Sequence, residues 1–403
     1  MKFQIKNYIA QNGERYSFLF SPDDPGVPLF YPAVYVSRQL RDNHTHQSQL
    51  VALDGIRRLN EWERDRGISL EERLLAGTLL NAHEVDDLAG HMKIRRSGKP
   101  GESICSRKFN VYWGCVRCYI AWLTDQLILN ANKAEVRKLV EKQDSRLKAK
   151  NLKRVGSRAR KKQALLDEKF SEPARQTLLE LFSSPFLGMR TATHSGTRLR
   201  NVVMARILYE TGMRRGELLS LKLKNFVESS GGHFPYLEIE RNHDDELDHR
   251  TQQPVAKTQG RILAISSGLE DQIKQYRTEY RAEIQNVGFG DEDFLFCVHQ
   301  FGSTVGQALT VNGFNSAISY LKKTFPSLGK SLHPHAFRHD FNYRFSLHAD
   351  EMEWTEAQEA EAREEVNGWC HGSEMAKVYN LRHRREKAME IGVKIARDTE
   401  RPL

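Results

Sequence analysis

The chain is poor in cysteine: five in 403 residues cannot staple a structure of this length, and the odd count points to reduced thiols. It has no apolar run near the roughly 18 residues that cross a bilayer. Its first residues, MKFQIKNYIAQNGERY, break their apolar character with Lys, Asn and Gln, so no signal-peptide core is expected. These scarcities set aside secreted, collagen-like and membrane-spanning classes and predict a cytoplasmic protein without a membrane partner. Hydrophobic residues at 39% and charged residues at 28% are enough for sizeable cores, and the length predicts about two or three domains.

The charge is unevenly placed. There are 61 Lys plus Arg and 52 Asp plus Glu, a balance of +9. Between Lys133 and Lys162 stand 13 basic residues and three acids, Glu135, Glu141 and Asp144, which makes +10; the remaining 48 basic and 49 acidic residues make −1. The densest part, KAKNLKRVGSRARKK, has few apolar anchors and reads as a partly extended, solvated connector. Lys148, Lys150, Lys153, Arg154, Arg158, Arg160, Lys161 and Lys162 are its candidate contacts with a phosphate backbone. Further on, DEMEWTEAQEAEAREE holds eight acids and one Arg. It reads as an exposed acidic helix and is not expected to touch DNA.

Four segments are expected. Residues 1–34 form a hairpin-like unit, with strands in KFQIKNYIA and RYSFLF around Asn-Gly. Residues 35–141 form a helical domain: Leu50, Leu53, Ile56, Leu59 and Trp62 recur at helical spacing, Ser69 and Asn81 are candidate caps, and FNVYWGCVRCYIAWLTDQLILNA is apolar enough for its central helix. Residues 142–168 form the basic linker. Residues 169–403 form a larger domain that opens on a Ser-Glu-Pro helix start and contains strands in YLEIER and GRILAIS. The predicted class is mainly α with a small antiparallel sheet.

Four motifs in the last segment suit an anionic substrate. In TGMRRGEL a Gly turn opens a helix carrying Arg214, and Glu217 lies on the same face to hold it. In AKTQGRILAI, Lys257 stands where a polar loop enters a strand. In HPHAFRH, His335 and Arg338 share a helix face, with His339 one turn on. The spacing of His335 and His339 resembles a zinc helix, but Ala336 replaces the Glu such a site needs. In NGWCHGSEMAKVY, His371 precedes a short helix that reaches Tyr379. Cys115 and Cys118 form one CxxC inside an apolar helical run, which reads as core packing rather than as a metal site.

Taken together, in this order over about 170 residues, these stretches resemble the tyrosine recombinase (phage-type integrase) family. The resemblance implies a helical core-binding domain and a catalytic domain that together clamp duplex DNA. It implies Tyr379 as the nucleophile on a backbone phosphate, forming a covalent 3′-phosphotyrosine. Arg214 and Arg338 would stabilise the phosphate charge, His335 would assist proton transfer, Lys257 would protonate the leaving 5′ oxygen, and His371 would donate to a phosphate oxygen. Glu217 and His339 would support them. The family's usual His lies about nine residues before the Tyr; here His371 is eight before and Trp369 ten, so Trp369 is the alternate. No metal and no cofactor is implied. Double-stranded DNA is the expected partner, with a homodimer or tetramer assembled on it through the C-terminal helix, accessory DNA-bending proteins or a partner recombinase, and a nucleoid-associated, mobile-element setting. A type IB topoisomerase-like enzyme and a catalytically silent DNA-binding protein on the same fold are the rival readings.

Overall fold

The computed structural model describes the chain except residues 1, 97–100, 129–132, 154–169, 257, 330–331 and 399–403, and except the side chains of 375–383, 385–386 and 398. Two compact units are present, residues 1–157 and 158–403.

In the first unit, strands β1 (Gln4–Ile9) and β2 (Arg15–Phe20) pair antiparallel, Gln4 opposite Phe20 and Ile9 opposite Arg15. Leu19 of this hairpin is buried in the same core as the helices that follow. Helix α2 (His46–Arg66) buries Leu53, Ile56, Leu59 and Trp62 completely, a stripe that recurs every third residue and faces inward. It stops at Gly67, whose left-handed φ of 62° a side chain would strain. Against it packs α5 (Ser106–Leu127), which presents Phe109, Trp113, Val116, Ile120 and Leu123. Ser69 and Asn81 cap α3 (Leu70–Leu75) and α4 (Ala82–Lys93), the latter through a reciprocal pair with Glu84 at 2.9 and 2.8 Å. Cys115 is half-buried against the core, whereas Cys118 and Cys105 are exposed. No three His, Cys, Asp or Glu gather in metal-binding range among the described residues.

Structure begins earlier in the basic stretch than its composition suggests. Helix α6 (Ala134–Ala149) runs past the expected boundary at 141 and belongs to the first unit. Two anchors suffice: Leu147 is buried and its carbonyl accepts from Trp113 Nε1 at 2.7 Å, and Gln143 Oε1 accepts the Leu80 N–H at 2.8 Å. Lys148 and Lys153 are exposed. Lys150 is ion-paired with Asp86. Arg154, Arg158, Arg160, Lys161 and Lys162 lie outside the described residues.

The second unit is built round α8 (Ser195–Thr211), which is buried on nearly every side and therefore central. Around it stand α7 (Glu172–Ser183), α11 (Val311–Thr324) and α12 (Pro334–Glu351). Ser171 caps α7, with Pro173 in its first turn. A three-stranded antiparallel sheet, β3 (Phe226–Val227), β4 (Tyr236–Ile239) and β5 (Arg261–Ala264), covers one side, with Leu237 opposite Leu263 and Ile239 opposite Arg261.

The acidic segment does not form a wholly solvated helix. Helix α13 (Glu356–Asn367) buries Glu359, Arg363, Glu364 and Asn367. Arg363 is paired with Glu359 and donates to Ser346 Oγ at 2.6 Å and to the Asn342 carbonyl at 3.1 Å. Asn367 Nδ2 donates to Asn342 Oδ1 at 3.2 Å. Buried charge is tolerated because it is paired and hydrogen-bonded. The outward face remains acidic and exposed. The C-terminal helix α14 (Glu374–Asp398) lies against this pair: Lys387 Nζ is 2.6 Å from Asp350 Oδ1, and Arg384 pairs with Glu356. Beyond those pairs Met389, Ile391, Val393 and Ile395 are exposed.

Candidate active site

Helix α8 ends at Gly212 with φ of 63°. A Cβ there would lie 2.4 Å from a ring carbon of Phe341, so the turn needs glycine both for its backbone and for its space. Thr211 Oγ1 accepts the Met213 N–H at 3.2 Å. The chain then enters α9 (Arg215–Ser220), with Arg214 at its N-cap. The Glu217 carboxylate reaches back to the Arg214 N–H at 2.9 Å and accepts from Arg214 Nη1 at 3.2 Å. Arg214 keeps 30% of its side chain exposed, whereas Glu217 has none. Its neighbour Arg215 donates to Asn315 Oδ1 at 3.0 Å.

Glu217 is the hub of this cluster. It also accepts from Thr258 Oγ1 and Arg261 Nη2, both at 2.8 Å. Burial acts to raise its pKa, but the Arg261 charge and the four donors outweigh that and hold it at about 2. It is therefore a fixed negative charge at any working pH. Arg261 spends its remaining nitrogens on the Thr258 hydroxyl at 3.0 Å and the Val366 carbonyl at 2.7 Å.

The second cationic element is the start of α12. His333 caps it, with Nδ1 accepting the Ala336 N–H at 3.2 Å, and Pro334 occupies the first turn. Arg338 is 1% exposed. Its guanidinium donates to the carbonyls of Gly212 at 2.9 Å and Asn367 at 3.3 Å, and its Cζ lies 5.2 Å from the centre of the Trp369 ring. His335 is partly open to solvent, with its ring 5.8 Å from that of His339. Partial burial lowers its pKa, and His333, Arg338, Arg214 and Arg215 lower it further, which favours a neutral imidazole able to take a proton.

The last turn of α13 closes the arrangement. Carbonyls of three consecutive residues, Val366, Asn367 and Gly368, accept from Arg261, Arg338 and the Gln259 N–H. This is the negative end of the helix dipole, where cations are favoured. Gly368 has φ of 64°, and a Cβ on it would lie 2.9 Å from Arg261 Nη1. The two candidates that follow differ sharply. Trp369 is buried beside Arg338, whereas the His371 side chain is 92% exposed, with Nδ1 3.4 Å from Glu364 Oε2. Lys257 lies outside the described residues, next to Thr258; Tyr379 falls within α14, its side chain outside them.

The structure thus pairs Arg214 with Glu217, sets Arg338 beside Trp369 and against the carbonyls of Gly212 and Asn367, and places His335 on the same helix as Arg338. Sequence reading missed Arg261, Thr258 and the α13 carbonyls. Its one available signal was an Arg opening the strand GRILAIS, which looks like ordinary strand alternation.

Residues 189–360 match the phage integrase family. The chain carries a phage integrase domain. Among solved structures, the domain and much of the first unit share a fold with XerH site-specific recombinase bound to difH substrate, a pre-cleavage complex (17% identity, 87% of this chain and 81% of that one, TM-score 0.53). A second similar structure is the Tn1549 transposon integrase in complex with circular intermediate DNA (14% identity, 89% of this chain and 97% of that one, TM-score 0.50). No curated protein matches the chain. The matched stretch contains both the Arg–Glu and the His-x-x-Arg elements described above.

Proposed function

We propose that the protein is a site-specific DNA recombinase that cuts and rejoins strands through a covalent 3′-phosphotyrosine at Tyr379, in integration, excision or transposition of a mobile element. The observation that supports this most is the fixing of both arginines, Arg214 by Glu217 and Arg338 by the carbonyls of Gly212 and Asn367. Guanidinium groups fixed by a buried carboxylate and by backbone carbonyls are preorganised to stabilise charge on a phosphate.

The reaction runs as follows. The Tyr379 phenol oxygen bonds to phosphorus as the 5′ oxygen departs. The phenol proton passes to His335, and Lys257 supplies the proton that leaves as the 5′ hydroxyl. A phenol with pKa about 10 needs this assistance at neutral pH. Arg214, open to solvent, faces the non-bridging oxygens directly. Arg338 adds positive field from beneath, aligned by the two carbonyls, with Trp369 or His371 completing the phosphate pocket. In the second step a 5′ hydroxyl from the partner strand attacks the phosphotyrosine, Tyr379 leaves, and the bond count is conserved without a cofactor.

Duplex DNA is the substrate, and the basic stretch from Lys148 to Lys162 follows its backbone. The exposed apolar side chains of α14 supply the contact between copies on DNA. The test is covalent trapping on nicked duplexes. Wild type yields a protein–DNA adduct, and Tyr379→Phe binds the same duplex without one. An adduct that survives Tyr379→Phe refutes the assignment.

A further inference from the structure

We infer that Arg261 is the positioning residue of this site: it holds Arg214, which faces the phosphate, and Arg338 beneath it in register without touching DNA itself. The inference rests on the recombinase reading above. Each of its guanidinium nitrogens serves a different segment. Nη2 goes to Glu217 of α9, Nη1 to Thr258 in the approach to β5, and Nε to the Val366 carbonyl at the end of α13. Its side chain is 3% exposed and each of its three nitrogens already donates within the protein, so it is committed to these acceptors rather than to a phosphate. One step from two of these contacts lies a group that can act on a phosphate. The Glu217 carboxylate fixes Arg214 through both its backbone N–H and its side chain. The carbonyl next after Val366 belongs to Asn367 and holds Arg338.

Chain connectivity cannot do this job. Glu217, Arg261 and Val366 are far apart in sequence, and the planar five-donor fork of one Arg fits three acceptors that no other side chain spans. Lys would keep the charge and lose two of the three directions. The space is closed as well, because Gly368 admits no Cβ beside Nη1. A displacement of about 1 Å in a catalytic group can cost on the order of 100-fold in rate.

The test uses the full chain and a nicked duplex recovered by wild type, as covalent adduct, from a pool with randomised sequence. Arg261→Lys tests the fork at constant charge. The pair Arg261→Met with Glu217→Gln removes both buried charges together, which keeps the fold while deleting the tether. Both are expected to bind the duplex within about threefold of wild type and to form adduct roughly 100-fold more slowly at saturating DNA. A second duplex carries a neutral methylphosphonate at the cleaved position, which has no charge for Arg214 and Arg338 to stabilise. There the defect should shrink to below about tenfold, as it should for Arg214→Ala. A defect equal on both duplexes, or no defect on the first, overturns the assignment. Survival of the adduct in Tyr379→Phe would instead overturn the recombinase reading, while the ratio of rates between the two duplexes still judges Arg261.

Discussion

Glu217→Gln removes the charge at the hub while keeping its size. Two routes to the magnitude agree. Its neighbours hold the wild-type carboxyl at about 2 against an ordinary 4.5, and a gap of about 2.5 units at about 1.4 kcal/mol each is roughly 3.5 kcal/mol. Breaking a buried ion pair by removing one partner costs about 3–5 kcal/mol, because Arg261 is left uncompensated. Hydrogen exchange at the α8 amides (Ser195–Thr211) reports opening of the second unit alone. Its free energy should fall by about 3–5 kcal/mol in the variant at pH 7. The depressed carboxyl stabilises the fold above its unfolded pKa and loses that contribution as pH falls through its folded value. The difference between wild type and variant should therefore narrow by about 2 kcal/mol between pH 7 and pH 3. A gap under about 1 kcal/mol at pH 7, or one that does not change with pH, would refute the reasoning.

Three further outcomes are expected. The His335 pKa is lowered from 6.5 by burial and by neighbouring cations, so adduct formation that needs neutral imidazole should persist below pH 6.5 and fail only in more acid solution; an acid limb above 6.5 in single-turnover rates contradicts this. Lys148 and Lys153 are exposed whereas Lys150 is engaged by Asp86. Neutralising either of the first two should flatten the log–log salt dependence of DNA binding by up to about one unit, and Lys150→Ala should flatten it less. Ile391→Ser with Ile395→Ser should leave single-copy DNA binding unchanged and weaken assembly of further copies at least about tenfold in gel-shift titrations; unchanged cooperativity would count against a role for α14 between copies.

Much of the fold was legible because its cores are apolar and periodic. The stripes of α2 and α5, the caps at Ser69 and Asn81, and the hairpin around Asn12-Gly13 are local signals that follow from chain geometry. The match of residues 189–360 to the phage integrase family was legible from motif order. What escaped was polar and non-local. The α12–α13 interface is built from Asn342, Ser346, Glu359, Arg363 and Asn367, so a hydrophobicity pattern reads α13 as solvated. Helix α6 was hidden in a run of lysines, since two anchors hold it. Arg261 was hidden because its partners lie 44 and 105 residues away.

The carbonyl triad at the end of α13 also sets what an engineer can change. Residues 352–355, between α12 and α13, are exposed. A fluorescent tag or an inducible domain inserted there would ride on the acidic face without altering the three-residue terminus. Shortening or lengthening the chain by one residue between Val366 and Trp369 would shift Arg261, Arg338 and Gln259 onto the wrong acceptors together. The helix thus behaves as a gauge: its outward face tolerates change, and its tip does not tolerate a change of length.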